Sequence, residues 1–149
     1  MGKHAALVTG AGHGLGQAIA VALAKEGYHV FGGDLSSDEL KNTEDLCIGH
    51  DGTFQGAVFD VTEATEWEQW TKSILQSESR IEILVNNAGG VAGQVHQSVE
   101  QVSDQDWDRV IRINLYAAND EGLSRDLGTG GCNACCADGT GECHINGSP

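Results

Sequence analysis

The chain has 149 residues and a formal net charge of −14, from 22 acidic and 8 basic side chains. This length is typical of one domain, and the 40% of residues that are apolar are enough to build a core. The acidic balance argues against nucleic acid or an anionic membrane as a partner. No apolar run approaches the roughly 18 residues of a membrane span, and Met1–His4 has no secretory pattern, so we expect a cytoplasmic protein.

Short apolar runs alternate with helical patterns along residues 1–118. Apolar runs that are separated by helices predict parallel strands buried on both faces. The predicted strands are Ala5–Val8, Tyr28–Phe31, Phe54–Phe59 and Ile81–Val85. This order predicts an α/β fold, a Rossmann-like doubly wound parallel sheet of about four strands with right-handed crossovers.

The first and third helices are expected to pack on the sheet through apolar stripes. Gly27 is expected to end the first helix, and Thr62 to cap the third. The stripe of the first helix comprises Leu15, Ala18, Ile19, Ala22 and Leu23. The stripe of the third comprises Trp67, Trp70 and Ile74.

The second and fourth helices are expected to begin at serine caps. Ser36 or Ser37 is the candidate cap of the second helix, and Ser103 with Asp106 resembles a capping box that opens the fourth. The face of the fourth helix that we expect to meet the core comprises Trp107, Val110, Ile111, Asn114 and Leu115.

The composition changes after residue 118. Residues 119–149 contain seven glycines and four cysteines, and no helix or strand period runs through Gly128–Gly147. We therefore predict a dinucleotide-binding domain over 1–118 and a disordered or divergent Gly/Cys-rich tail over 119–149. A zinc site is the rival hypothesis for this tail, but two of its candidate ligands are adjacent in sequence and rarely reach one ion together, so we predict no metal. Those candidates are Cys132, Cys135, Cys136, Cys143 and His144.

The glycine-rich stretch Thr9–Gly16 links the first predicted strand to the first helix. Glycine lets the backbone turn tightly and approach an anion closely. The unpaired N–H groups at the start of the helix, together with its dipole, then favour negative charge. The stretch predicts a binding turn for the pyrophosphate of a dinucleotide.

Asp34 ends the second predicted strand, 18 residues after Gly16. This is close to the spacing of about 20 residues at which an acidic side chain binds the adenosine ribose. A carboxylate there accepts hydrogen bonds from both ribose hydroxyls and repels a 2′-phosphate, so NAD is favoured over NADP. His13 could add positive charge beside a 2′-phosphate, and the alternative is a plain loop residue.

The segment from Leu7 to Leu115 resembles the classical short-chain dehydrogenase/reductase family in four separate motifs. Thr9–Gly16 matches the Thr-Gly-x-x-x-Gly-x-Gly turn of that family. The other three motifs are Asp60-Val61-Thr62, Asn86-Asn87-Ala88-Gly89 and Ile113-Asn114-Leu115. The resemblance implies a sheet in the order 3-2-1-4-5-6-7, of which this chain has only the first four strands and is therefore incomplete.

The resemblance also implies roles for individual residues. Asp60 would contact the adenine amino group, and Asn114 would be the active-site asparagine and hence a catalytic residue. The full set of expected cofactor-binding residues is Thr9, Gly10, Gly12, His13, Gly14, Leu15, Gly16, Asp34, Leu35, Asp60, Val61, Asn87, Ala88 and Gly89.

Three of these assignments have structural alternatives. Asp60 could simply cap the following helix. Asn87 could be purely structural, satisfying backbone groups in its loop. Asn114 shares its helix face with apolar side chains, so it could be a buried amide that has found its partners.

The catalytic set of the family is absent from this sequence. A Tyr, made acidic by a Lys four residues later, exchanges the proton in that family, and a Ser orients the substrate. Residues four positions after Tyr28 and Tyr116 are Gly32 and Asp120, and no lysine follows Lys72. Ser148 is a weak candidate for the substrate-orienting Ser, because no predicted strand precedes it. A frameshift or an alternative splice near residue 119 is a hypothesis that accounts for the abrupt change of composition after residue 118.

Two functions follow as expectations. The first is an NAD(P)-dependent oxidoreductase, by resemblance, that transfers a hydride to or from a carbonyl or alcohol and is inactive as this chain stands. The second is a non-catalytic NAD-binding module or fragment. Because the fourth strand would be an open edge presenting Ile81, Ile83, Leu84 and Val85, we also expect self-association through that edge or through the fourth helix.

Overall fold

The computed structural model describes residues 4–78, 81–93 and 98–117. The tail after residue 118, with its cysteines and Ser148, lies outside the described residues. The predicted domain boundary, the predicted disorder and the zinc alternative therefore stay predictions.

The strands form one parallel sheet in the order β3-β2-β1-β4. They are β1 (Ala5–Thr9), β2 (His29–Asp34), β3 (Thr53–Val58) and β4 (Ile81–Val85). Four parallel strands connected by helices confirm the predicted Rossmann-like architecture. The order reverses between β1 and β4, and this is the point of a doubly wound sheet at which ligands bind.

The helices alternate with the strands. They are α1 (Gly14–Lys25), α2 (Ser37–Cys47), α3 (Ala64–Ser77) and α4 (Asp104–Ile111), the last of which continues as a π-helical turn over Arg112–Tyr116. Ser36 caps α2 by accepting a bond from the Glu39 N–H, and Ser103 caps α4 by accepting one from the Asp106 N–H. Both predicted serine caps are confirmed.

The predicted stripe of α1 is wrong in its phase. The buried face comprises Gly16, Ala20 and Ala24, whereas Leu15 is 61% exposed. Ile19 and Leu23 are half-buried beside this face. The smallest residues of α1 face the sheet, so the helix lies close to it and Gly16 is in direct contact with Gly10 of the glycine turn. Gly27, with a φ of +89°, ends α1 as predicted.

The start of α3 also differs from the prediction. Its N-cap is Glu63, and Thr62 instead donates from its N–H and its hydroxyl to Oδ1 of Asp60. Thr62 is therefore part of a turn that Asp60 closes. The apolar face is as predicted: Trp67 and Ile74 are buried, and Trp70 packs against them.

The core has two layers, one on each face of the sheet. Leu7 of β1 belongs to the layer under α3, and Val8 belongs to the layer under α1 and α2. The central strand β1 is buried on both faces, as predicted. The outer strand β3 is not, since Phe54 is buried and Val58 is 58% exposed.

Among the described strands, β4 pairs with β1 alone, so its other side is an edge. Its side chains are less exposed than we expected. Ile81, Leu84 and Val85 are buried under the helices, and Ile83 is half-buried. The open feature of β4 is its row of backbone groups rather than its apolar side chains.

The expectation that α4 packs on the core is wrong. Of its described side chains none is buried, and Trp107 is 62% exposed. In the turn that follows, Leu115 is 56% and Tyr116 is 61% exposed. Val110 and Ile111 of the predicted face are half-buried, so the described residues cover this face only in part. Within the described residues, no helix combines the length and apolarity needed to cross a membrane.

Candidate functional site

The glycine turn and the first turn of α1 are shaped by a close backbone contact. A Cβ built on Gly16 would lie 2.0 Å from the Gly10 carbonyl oxygen, so only glycine fits there. Gly14 opens α1 with a φ of +56°, and a Cβ on it would meet no described atom within 4 Å. The turn is therefore packed on its inner side and open at the helix N-terminus, where backbone N–H groups attract anions.

Thr9 and Asn87 connect this turn to the loop after β4. The Thr9 hydroxyl accepts the N–H groups of Asn87 and Ala88 at 3.1 and 3.0 Å and donates to the Val85 carbonyl at 3.4 Å. The Asn87 amide donates to the Thr9 and Gly10 carbonyls at 3.0 and 3.2 Å. These are the contacts of the structural alternative for Asn87. Its direct contact with a cofactor stays a prediction.

Asp34 is held against the glycine turn by backbone donors. Gly12 N–H donates to its Oδ2 at 2.9 Å, while the N–H groups of Leu35 and Ser36 donate to Oδ1 at 2.7 and 3.3 Å. The carboxylate is thus fixed at the carboxyl end of β2, directly beside the turn. The two features that the sequence places 18 residues apart are in contact.

Asp60 lies at the carboxyl end of the neighbouring strand, β3. Thr62 donates to its Oδ1 from the N–H at 2.9 Å and from the hydroxyl at 2.7 Å, and the Asp60 N–H donates to Glu66 at 3.0 Å. Because Glu63 is the N-cap of α3, the alternative that Asp60 caps this helix is wrong.

Asn114 is exposed, so the alternative of a buried core amide is wrong. Its Oδ1 accepts the Gly90 N–H at 3.0 Å, and its Nδ2 donates to the Gly90 and Val110 carbonyls at 2.7 and 2.8 Å. A Cβ on Gly89 would lie 2.6 Å from Oδ1. The amide therefore fastens the loop after β4 to the turn that continues α4, and its catalytic role stays a prediction.

A cavity of about 530 Å³ lies at the carboxyl edge of the sheet. The predicted residues that line it are Gly10, His13, Asp34, Leu35, Asp60, Val61, Ala88 and Gly89. The other predicted residues shape the turn or the loop without lining this cavity, namely Thr9, Gly12, Gly14, Leu15, Gly16, Asn87 and Asn114. Residues from four separate segments of the chain thus converge on one space.

Sequence reasoning missed part of the lining: Phe59, Thr62, Gly90, Ala92, Arg109, Arg112 and Ile113. Arg109 and Arg112 are three residues apart on one helical segment, and this spacing is a signal that could have placed them on one face.

Sequence reasoning also missed the pair that fixes α2 to the glycine turn. Thr43 is fully buried, and its hydroxyl donates to the Ala11 carbonyl at 2.8 Å. Gln17 donates to Thr43 Oγ1 and to the Gly12 carbonyl, both at 3.0 Å. Neither residue belongs to a motif, so the sequence offers no signal for this pair.

The geometry agrees with the comparisons to known proteins. A family model described as short chain dehydrogenase matches residues 4–119. A 3-oxoacyl-[acyl-carrier-protein] reductase, FabG, from Thermotoga maritima is 33% identical over 109 residues, which are 73% of this chain and 43% of that protein.

Two solved structures have the same fold. A metagenomic short-chain oxidoreductase in complex with NADP has a TM-score of 0.70 and 28% identity, over 78% of this chain and 52% of that one. A carveol dehydrogenase from Mycobacterium avium in complex with NAD has a TM-score of 0.70 and 27% identity, over 76% and 45%. The chain spans about two-fifths of the curated relative's length and belongs to the short chain dehydrogenase family.

Proposed function

We propose that this chain binds a nicotinamide dinucleotide in the cavity at the carboxyl edge of the sheet, with NAD favoured over NADP. The observation that carries the proposal is the contact between the glycine turn and Asp34, made by the Gly12 N–H. It supports the proposal because a helix N-terminus, which favours anions, then lies beside a carboxylate that would accept hydrogen bonds from the ribose hydroxyls. Relatives of similar fold are complexes with NADP and with NAD.

The described residues fit the adenosine half of such a cofactor. The pyrophosphate would lie at the open start of α1, against the backbone of Gly12, Gly14, Leu15 and Gly16, where a Cβ on Gly14 meets no described atom within 4 Å. Asp34, with Leu35 and His13 beside it, would hold the ribose. Asp60 and Val61 would contact the adenine.

The loop after β4 would meet the next part of the cofactor. The backbone of Ala88 and Gly89 lines the cavity, and Thr9 and Asn87 hold that backbone in place. Asn114 would fix the same loop through Gly90. We therefore propose Asn114 as the active-site asparagine, which holds this loop in place through Gly90.

We further propose that the family chemistry is oxidoreduction of a small-molecule carbonyl or alcohol. When bound, the nicotinamide supplies hydride transfer. The 149 residues contain no Tyr-x-x-x-Lys, so no group of that kind moves the proton, and we expect this chain to bind cofactor without turnover. The alternative is a non-catalytic NAD-binding module or fragment.

Calorimetric titration of the chain with NADH and with NADPH tests the proposal. We expect saturable binding of NADH, weaker binding of NADPH, and no NADH formation from NAD with a panel of primary and secondary alcohols. Absence of binding by either cofactor would contradict the proposed site. Turnover of an alcohol would contradict the proposed inactivity and leave the binding site standing.

Self-association is proposed as well, through the β4 edge or through α4. The edge has no pairing strand among the described residues, and α4 exposes Trp107. Unpaired backbone at a strand edge is a template for another chain. Light scattering is expected to show dimers or larger species, and a monodisperse monomer would contradict this. The cytoplasmic location stays a prediction.

A further inference from the structure

The His13 imidazole and the Glu39 carboxylate are in contact at the outer wall of the site. The His13 Nδ1 lies 3.3 Å from Glu39 Oε2. A ring nitrogen of His13 and one carboxylate oxygen each of Glu39 and Asp34 all lie within 4.8 Å of one another. One imidazole therefore lies beside two carboxylates at the place where the adenosine ribose would bind.

The backbone around Glu39 holds this residue next to the turn. Its N–H donates to the Ser36 cap at 3.3 Å, and its carbonyl oxygen lies 3.2 Å from the oxygen of the buried Thr43 hydroxyl. A Cβ on Gly12 would lie 2.8 Å from the Glu39 Cβ. The first turn of α2 thus packs directly on the glycine turn.

A phosphate on the 2′-hydroxyl would meet these three side chains. Such a group carries about −1.5 to −2 charges near neutrality. Asp34 already repels it, and the nearby imidazole, which could attract it, is paired with Glu39. The described residues place no lysine or arginine in contact with Asp34, Glu39 or His13.

We infer that Glu39 is a second specificity-determining residue against NADP, and that it acts by keeping His13 from pairing with a 2′-phosphate. The inference rests on the proposed cofactor binding and adds a residue that no motif of the sequence indicates. Asp34 selects for the ribose hydroxyls, while Glu39 occupies the Nδ1 of His13, the imidazole that would otherwise offset Asp34.

The test compares Glu39→Gln with Asp38→Asn, a matched control in the same helical turn whose side chain is exposed. Affinities for NADH and NADPH are measured by calorimetry at fixed low salt and about pH 6. We expect Glu39→Gln to bind NADPH about fivefold more tightly and to keep its NADH affinity within about twofold. Asp38→Asn is expected to change neither affinity by more than about twofold.

The double variant His13→Gln/Glu39→Gln separates the two ways in which Glu39 could act. Most of the gain in NADPH affinity is expected to disappear when the imidazole is absent. An unchanged ratio of NADPH to NADH affinity in Glu39→Gln would overturn the inference, and so would an equal effect of Asp38→Asn or a gain that survives without His13. Binding of neither cofactor by the unaltered chain would instead overturn the proposed function. Circular dichroism of each variant verifies that it is folded.

Discussion

The sequence predicts both the glycine turn and α4, but the two differ in how many contacts they make with the rest of the described chain. The turn is fixed by contacts within the described chain, from Thr9 and Asn87 on one side and Asp34 on the other. None of the described side chains of α4 is buried, and Trp107 is 62% exposed. The motif residues on both sides of these contacts are recognisable in the sequence, so the turn is placed correctly from sequence. An amphipathic stripe predicts that a helix packs through one face, but it does not indicate against which surface.

The largest expected effect comes from closing the contact inside the turn. Gly16→Ala puts a Cβ 2.0 Å from the Gly10 carbonyl, and we expect the free energy of unfolding to fall by about 3 kcal/mol. The control is Gly49→Ala, where φ is +85° but no described atom lies within 4 Å of the added Cβ. It is expected to lose about 1 kcal/mol through backbone strain alone. Urea unfolding measures both, and equal losses would contradict the close contact.

The connection between the turn and the loop after β4 gives the next effect. Thr9→Val leaves the N–H groups of Asn87 and Ala88 without their acceptor, which is expected to cost about 2 kcal/mol of stability. Thr65→Val, at an exposed position of α3, is the control and is expected to change stability by less than about 0.5 kcal/mol. If the two variants unfold at the same urea concentration, the connection does not stabilise the domain.

A smaller effect is expected on ligand affinity. Asp34→Asn removes the charge that would bind the ribose hydroxyls, and we expect NADH binding to weaken about tenfold. Asp51→Asn changes an exposed acid in the loop before β3 and is expected to leave the affinity unchanged. Calorimetric titration measures both variants. NADH affinity that survives in Asp34→Asn would remove this carboxylate from the proposed site.

The smallest effect on stability belongs to α4. Trp107→Ser removes an exposed side chain, so the free energy of unfolding is expected to change by less than about 0.5 kcal/mol. The same variant is expected to reduce the proposed self-association in light scattering. A large loss of stability would show that α4 packs on the core, which would contradict the exposure of Trp107.

The strands and the ends of the helices were predictable because their signals are local. The four strands occur where the apolar runs are, Ser36 and Ser103 cap their helices, and Gly27 ends α1. The phase of α1 was not predictable from hydrophobicity, since the helix turns its smallest side chains to the sheet and leaves Leu15 exposed. Small side chains let the helix lie close to the sheet, and a search for large apolar residues does not find such a face.

Within the candidate site, the residues carried by motifs converge as expected around one cavity. The residues that position them, Thr43 and Gln17, belong to no motif, and their role depends on how α1 and α2 meet. Arg109 and Arg112 reach the cavity only because α4 lies beside the loop after β4. Contacts between separate elements, such as these, can be identified only from the tertiary structure.

The most direct test of the central claim is an amide NMR titration of the isotope-labelled chain with NADH. If the dinucleotide binds as proposed, the largest shifts will occur at the backbone N–H groups of Gly12, Gly14 and Leu15, with further shifts at Leu35 and Ala88. Saturable shifts confined to α4, or no shifts at millimolar NADH, would contradict the proposal that this cavity binds a nicotinamide dinucleotide.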